Sequence, residues 1–284
     1  MYRSICCAAL GLGLLSGCRE SRDTASTPAA ARSSAARPSV VSFTATDFGF
    51  HGPSSIPSGT TVIRLSNQGQ EIHHMVMTRW DEGKTYDSLL AALGHPGPPP
   101  PWMRLVGGPN AVDPGRESNA TQVLEPGHYA LICFIPSPDG VPHLAKGMVS
   151  PLEVTASPSP AETEPPADVV IRLTDYAFDL SAPLVAGPQV IRVENVGPQP
   201  HELVLAKFGP GASVADFEAW QKGGEKGPIP GIFLGGVAPM DQGKHGQFSV
   251  DLQPGNYALL CFLPDSKDGN LHFLHGMVKP FTVG

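Results

Sequence analysis

CFIPSPDGVPHLAKGM, Cys133 to Met148, and CFLPDSKDGNLHFLHGM, Cys261 to Met277, are two versions of one stretch. Each closes an apolar alternating run, the pattern of a strand, with a thiol, an imidazole and a thioether. These soft donors form a copper-type ligand set, one imidazole short of a His2Cys site with a weak axial Met. The missing imidazole has to come from elsewhere in each copy.

The repeat extends far beyond these stretches. An offset of 128 relates Asp47 to Asp175, Phe50 to Phe178, Asn67 to Asn195, Gly69 to Gly197, His73 to His201, Tyr129 to Tyr257 and Cys133 to Cys261. Past the Cys the offset becomes 129, relating Gly140 to Gly269, His143 to His272 and Met148 to Met277. One inserted residue in the Cys-to-His loop accounts for the change. Two domains follow, at residues 39–155 and 168–284, with a Pro-rich linker at 156–167 that is expected to be stiff, acidic and unpacked.

Within each copy, short alternating runs are bounded by turn residues, which predicts an all-β fold of two tandem Greek-key β-sandwich domains. Strands are read at 40–46, 61–67, 73–79, 120–124, 128–134 and 147–154. In the second copy they are read at 169–174, 189–195, 201–207, 247–252, 256–262 and 277–283. Each copy carries a short helical insert, at 81–93 and 213–221, expected to cover one edge of its sandwich. The 31 Pro and 32 Gly among 284 residues argue against long helices. A formal charge of -7 offers no basic surface for nucleic acid. Past the N-terminus no segment approaches the roughly 18 apolar residues of a spanning helix.

The N-terminus reads as a targeting segment. Arg3 supplies a positive start, residues 5–15 an apolar core, and Leu15-Ser16-Gly17-Cys18 resembles a bacterial lipobox. This predicts a signal peptide at 1–17, a lipid anchor on Cys18 and a disordered tether at 18–38; the alternative is an ordinary secretory signal. The expected location is periplasmic or cell-surface, lipid-anchored to a bacterial membrane, with Arg19 favouring the outer membrane. Cys6 and Cys7 leave with the signal, and Cys133 and Cys261 remain as free candidates. A disulfide between them would have to join equivalent interior strands of separate domains.

His73 and His201 are the best sources of the missing imidazole. Each follows an Asn-x-Gly turn, NQGQEIH and NVGPQPH, and is expected to open a strand. His74 aligns with Glu202, outside the repeated set, and is the alternative in the first copy. The candidate ligand sets are therefore His73, Cys133, His143, Met148 and His201, Cys261, His272, Met277.

With Asn-x-Gly, His, Tyr-x-x-x-Cys and His-x4-Met in each copy, both halves resemble the cupredoxins, the type 1 copper family. The resemblance implies cupredoxin-like domains with one blue copper site each, hence two copper ions per chain. It implies that Cys supplies the Cu–S bond, two His complete the plane and Met sits on the axis. It also implies single-electron exchange with redox protein partners, with the loop His edge facing solvent as the exit. The Cys-to-His loops depart from the small cupredoxins, with nine intervening residues in one copy and ten in the other, so the two sites are expected to be unequal. Multi-domain copper enzymes are also tandem cupredoxins, but they add His-x-His pairs or a His beside the Cys. Here Ile132 and Leu260 precede the Cys and no His-x-His occurs. The expectation is therefore that the chain is not an enzyme. Copper storage or delivery, and a metal-free binding module, are the competing readings. Met75, Met77, Tyr129 and Tyr257 are read as packing residues, and His51, His95, His128, His245 and His275 as loop or strand-face residues.

Overall fold

The computed structural model describes residues 38–95, 97, 99–157, 163–223 and 229–284. The signal peptide, Cys18 and nearly all of the tether lie outside the described residues. The first copy runs β1 (Ser39–Thr46), β2 (Gly49–His51), β3 (Ser55–Pro57), β4 (Gly59–Asn67), β5 (Val76–Trp80), α1 (Tyr86–Leu93), β6 (Met103–Gly107), β7 (Glu117–Leu124), β8 (Gly127–Ile132) and β9 (Val149–Thr155). The second runs β10 (Val169–Thr174), β11 (Ala177–Leu180), β12 (Gly187–Asn195), β13 (His201–Phe208), α2 (Val214–Lys222), β14 (Gly231–Met240), β15 (His245–Leu252), β16 (Gly255–Leu260) and β17 (Val278–Val283). The fold is all-β, built of two layered sheets.

Alternation explains the layers. Along β12, Gln189, Ile191, Val193 and Asn195 are buried while their neighbours are not, and β4 repeats the pattern with Ile63, Leu65 and Asn67. Their apolar members join two matching cores. In the first, Phe43, Ile63, Leu65, Met75, Met77, Tyr129 and Leu131 pack around Cys133 and Met148. In the second, Leu173, Ile191, Val193, Leu203, Leu205, Tyr257 and Leu259 pack around Cys261 and Met277. Each fully buried Leu or Ile contributes about 1.5–3 kcal/mol. The ligand-bearing loops are thus anchored in the most tightly held part of each copy.

The two copies share both sheets. One has the order β11-β10-β12-β15-β7-β4-β1-β2, and the other β17-β16-β13-β14-β6-β5-β8-β9-β3. The joins are β15 to β7, where Gln247 faces Thr121, and β14 to β6, where Met240 faces Val106. The inserts therefore do something other than cover an edge. Helices α1 and α2 bury Leu89 and Phe217 in two further clusters, while β6 and β14 bring the copies together. Within each copy, a glycine lets β6 or β14 pass close to the strand before the insert. Gly108 and Gly236 have φ of +119° and +122°, and a Cβ there would collide with the carbonyls of Met75 and Leu203. Only glycine fits so close a crossing.

The linker also packs where it is described. Glu164 accepts hydrogen bonds from Arg192 at 2.8 Å and His245 at 3.0 Å. Among the described residues no helix is long and apolar enough to cross a membrane.

Candidate metal centres

Each centre is assembled by three backbone devices. The first is the Asn-x-Gly turn. Asn67 Nδ2 donates to the carbonyls of Glu71 and Val112, and its Oδ1 accepts from Gly69 N–H; Asn195 does the same with Gln199, Met240 and Gly197. This fixes the approach to the early His. His201 then opens β13 as expected, but β5 begins only at Val76. His73 is instead stitched to Val112 by hydrogen bonds in both directions, at 3.3 and 3.0 Å.

The second device is the fold of the Cys-to-His loop. His143 N–H donates to Ile135 O at 2.9 Å, and Ser137 N–H to Val141 O at 3.0 Å, so the long loop is a small hairpin with its ends closed. In the second copy His272 N–H reaches Leu263 O at 2.8 Å and Asp265 N–H reaches Asn270 O at 2.7 Å. The inserted residue falls in the tip and leaves the ends unchanged. The third device is a 3-10 turn, His143–Lys146 or His272–His275, closed by left-handed Gly147 or Gly276. It carries the chain to Met148 and Met277, whose N–H groups bond back to the His carbonyls at 2.9 Å.

These devices bring His73, Cys133 and His143 together, and likewise His201, Cys261 and His272, each with one ligand atom within 4.8 Å of the others. The two Nδ1 atoms lie 3.1 Å apart in both copies, and the later His Nδ1 is 3.4 Å from the Cys Sγ in both. The different loops therefore do not make the inner geometry unequal. His74 turns away, its Nε2 accepting from Phe134 N–H at 2.9 Å. Met148 and Met277 are fully buried beside the Cys residues. Both cysteines are free thiols, so the bond between them that the sequence left open is absent. One expectation fails plainly: His143 and His272 are both 0% exposed, so neither ring edge faces solvent. Phe48 packs against His143 in a tilted contact at 4.9 Å and Tyr176 meets His272 edge-on at 5.6 Å, closing the end of each sandwich.

The outer contacts decide what the centres can hold. His73 Nε2 bonds to Asp47 Oδ1 at 2.7 Å, and His143 Nε2 to Glu71 Oε2 at 2.8 Å. Ionised carboxylates only accept, so each Nε2 carries a proton and each ring turns its Nδ1 inward. The two Nδ1 atoms then face each other at 3.1 Å inside the protein. Burial lowers the pKa of His73 and His201 and takes that of His272 to about 4, so the rings resist protonation. Burial also raises the Cys133 thiol to about 12 and pushes Cys261 up as well. A cation would reverse this balance, since a coordinated thiol is deprotonated. The donor set fits a soft metal ion.

In the second copy His201 Nε2 meets Asp175 at 3.0 Å, but His272 Nε2 has no hydrogen-bond partner among the described residues and stands 3.8 Å from Asp265. Asp265 is held by Tyr176 and Gln199. Asp265, Asp268 and His275 also lie close enough together to hold a metal ion. However, the His275–Asp268 pair occupies the place of the Lys146–Asp139 ion pair, and an ion pair accounts for it.

Asp47, Glu71 and Asp175 were not among the residues predicted from sequence. The repeat had paired Asp47 with Asp175 without assigning them a task, and that pairing was the available signal.

No family model matches the chain, and no curated protein matches it. Solved structures do. Auracyanin A, a blue copper protein from Chloroflexus aurantiacus, is 15% identical over 42% of this chain and 100% of its own, with a TM-score of 0.29. A copper nitrite reductase from Nitrosomonas europaea is 12% identical over 87% of this chain and 94% of its own, with a TM-score of 0.26. The blue copper oxidase of Nitrosomonas europaea is 13% identical over 87% and 86%, with a TM-score of 0.25. The expectation that the chain is not an enzyme is corrected by these findings. Structures similar over most of its length include a reductase and an oxidase.

Proposed function

We propose that this chain is a copper protein that moves single electrons, with one copper ion in each copy. His73, Cys133 and His143 would hold one ion and His201, Cys261 and His272 the other, with Met148 and Met277 beside them as the thioether donors. The observation that carries this reading is the pair of buried, inward-facing Nδ1 atoms 3.1 Å apart next to a thiol, an arrangement that a cation satisfies. Bound copper would supply a one-electron couple. The chain's own residues keep the donors in place and water out. Asp47 and Asp175 orient the early imidazoles, Glu71 orients His143, and the Asn67 and Asn195 turns fix the backbone behind them. The closed, fully buried donors favour electron exchange over copper delivery, which needs ligands that an acceptor can reach. Redox proteins at a membrane surface are the proposed partners. Lipid on Cys18 is the proposed anchor, in the periplasm or at the cell surface, resting on the Leu15–Cys18 pattern.

The test is to load the protein with Cu(II) and record its visible absorption and electron paramagnetic resonance. An intense thiolate-to-copper band is expected, halved in Cys133→Ser or Cys261→Ser and lost when both are changed. Wild-type protein without that band overturns the reading.

A further inference from the structure

A line of buried polar side chains joins the two centres. On the first side, Phe134 N–H, one peptide bond from Cys133, donates to His74 Nε2 at 2.9 Å. His74 runs covalently into Met75, whose N–H donates to Pro109 O at 2.9 Å, one peptide bond from Asn110. Asn110 Nδ2 donates to Glu202 Oε2 at 3.0 Å. Glu202 Oε1 accepts from Phe262 N–H at 3.0 Å, one peptide bond from Cys261. His74 and Glu202 also follow His73 and His201 directly in the chain, so each end of the line is tied to two of the three donors of its centre.

Burial makes this arrangement expensive unless it has a use. Asn110 is 0% exposed, Glu202 4% and His74 8%. An imidazole, an amide and a carboxylate are buried where apolar side chains would fill the same seam at lower cost. The rest of the seam shows the cheaper solution, since Val76, Leu105 and Ala238 pack together there. Asn110 is also unrepeated: the position 128 residues on is Ala238. One amide thus serves both copies. Its orientation is fixed by Leu203 O and Val237 O, which also accept from Nδ2, and by Ala111 N–H, which donates to Oδ1. Every link is a covalent bond or a hydrogen bond, with no step across a van der Waals gap.

We propose that His74, Asn110 and Glu202 form a conduit that couples the two His-Cys-His centres electronically, so that an electron admitted at one is passed to the other. This rests on the copper reading above. One electron leaves the reduced ion of one centre and enters the oxidised ion of the other; no bond breaks, and the three side chains keep their protons.

The experiment uses the full chain loaded with copper and carrying Met277→Leu, which separates the second band and potential from the first. A substoichiometric pulse of a one-electron reductant is given, and the redistribution between the bands is followed as a first-order, concentration-independent phase. Asn110→Ala should slow that phase about tenfold, with both bands and both potentials unchanged. Glu202→Gln, which leaves one acceptor for the two donors Asn110 Nδ2 and Phe262 N–H, should also slow the phase, again with both bands unchanged. In metal-free protein, Asn110→Ala should also speed hydrogen exchange of the Phe134 and Phe262 amides, a readout independent of copper. If Asn110→Ala does not fold, Asn110→Ser carries the same prediction, because its hydroxyl is too short to reach Glu202. An unchanged rate in a fully loaded variant overturns the conduit, as does a protein that takes up copper in one copy only. Absence of the band in wild type defeats the copper reading instead, so the two failures are distinct.

Discussion

The two centres share an inner geometry and differ in where their second carboxylate sits. Both have an aspartate on the early imidazole, Asp47 or Asp175. In the first centre the other carboxylate is Glu71, behind His143, and the residue behind the Cys peptide is the neutral His74. In the second, the position of Glu71 holds neutral Gln199, and the position of His74 holds Glu202, which accepts from the Phe262 peptide. The second centre gains a carboxylate on the thiol side, and on the imidazole side Asp265 at 3.8 Å stands where Glu71 bonds at 2.8 Å in the first, while Nδ1–Nδ1 stays at 3.1 Å and Sγ–Nδ1 at 3.4 Å. The backbone devices therefore set the geometry, and the carboxylates tune what is held there.

The sharpest way to break this comparison is to remove Glu71. Glu71→Ala leaves His143 Nε2 without its acceptor, as His272 Nε2 already is. Loss of such an outer contact should weaken metal retention in the first centre about 10–100-fold. Competition with a chelator, read on the first centre in Cys261→Ser protein, gives the number. Glu71→Gln, whose amide oxygen still accepts, should lose far less. The reverse change, Gln199→Glu, should harm the second centre, because Gln199 now donates to Asp265 at 2.9 Å and a carboxylate there would face it. Asp265→Ser, the residue type at position 137, should rescue it. Equal retention in Glu71→Ala and wild type would show that the backbone alone holds the rings.

A second comparison is between His74 and Glu202, which respond to pH in opposite directions. Burial takes His74 to about 3 and His272 to about 4, and lowers His73 and His201. The unfolded chain then binds more protons than the native one below about pH 6.5, and stability is lost as pH falls from there toward 4. Glu202 is raised by burial to about 6, so its contribution is present at low pH and lost as pH rises through 6. Four histidines outweigh one glutamate. Metal-free protein should lose on the order of 2 kcal/mol between pH 6.5 and 5, measured by urea unfolding. Glu202→Gln should steepen that loss and His74→Gln should flatten it. A flat profile in the metal-free protein would mean that the rings are solvated.

Much of this was legible in the sequence because the repeat isolates what each centre needs twice. His73, Cys133 and His143 and their counterparts were found by offset alone, and Met75 and Met77 were rightly assigned to the core, where both are 0% exposed. Other features were hidden for physical reasons. Strands β6 and β14 lie in Gly- and Pro-rich inserts with little alternation, so their role in joining the sheets had no local signature. The enclosure of His143 and His272 depends on hairpins that close on themselves, where the resemblance implied an exposed ring edge. Glu71 and Glu202 escaped because they do not align with each other, and Asn110 because it is used once.

The finest distinction lies in the turns that carry the early histidines. A Cβ added at Gly69 would come within 2.6 Å of His73 Nε2 and closer still to Asp47 Oδ1. At Gly197 the same atom would meet His201 Nε2 at 2.8 Å and Asp175 Oδ1 only at 3.2 Å. The first turn is thus packed against its Asp–His pair more tightly, in line with hydrogen bonds of 2.7 Å there and 3.0 Å in the second copy. Gly69→Ala has to move Asp47, which also accepts from Gln70 N–H at 2.8 Å, so the turn itself shifts with it. Gly69→Ala should cost about 1 kcal/mol of stability and Gly197→Ala a few tenths. Both should be read by thermal unfolding of metal-free protein, with metal retention measured alongside. Metal loss should follow the same order, because moving Asp47 releases the His73 ring from the orientation in which its Nδ1 faces the thiol. Equal costs at the two glycines would mean that the carboxylate swings aside freely, leaving the Asn67 turn and the Val112 pairing to orient His73 unaided.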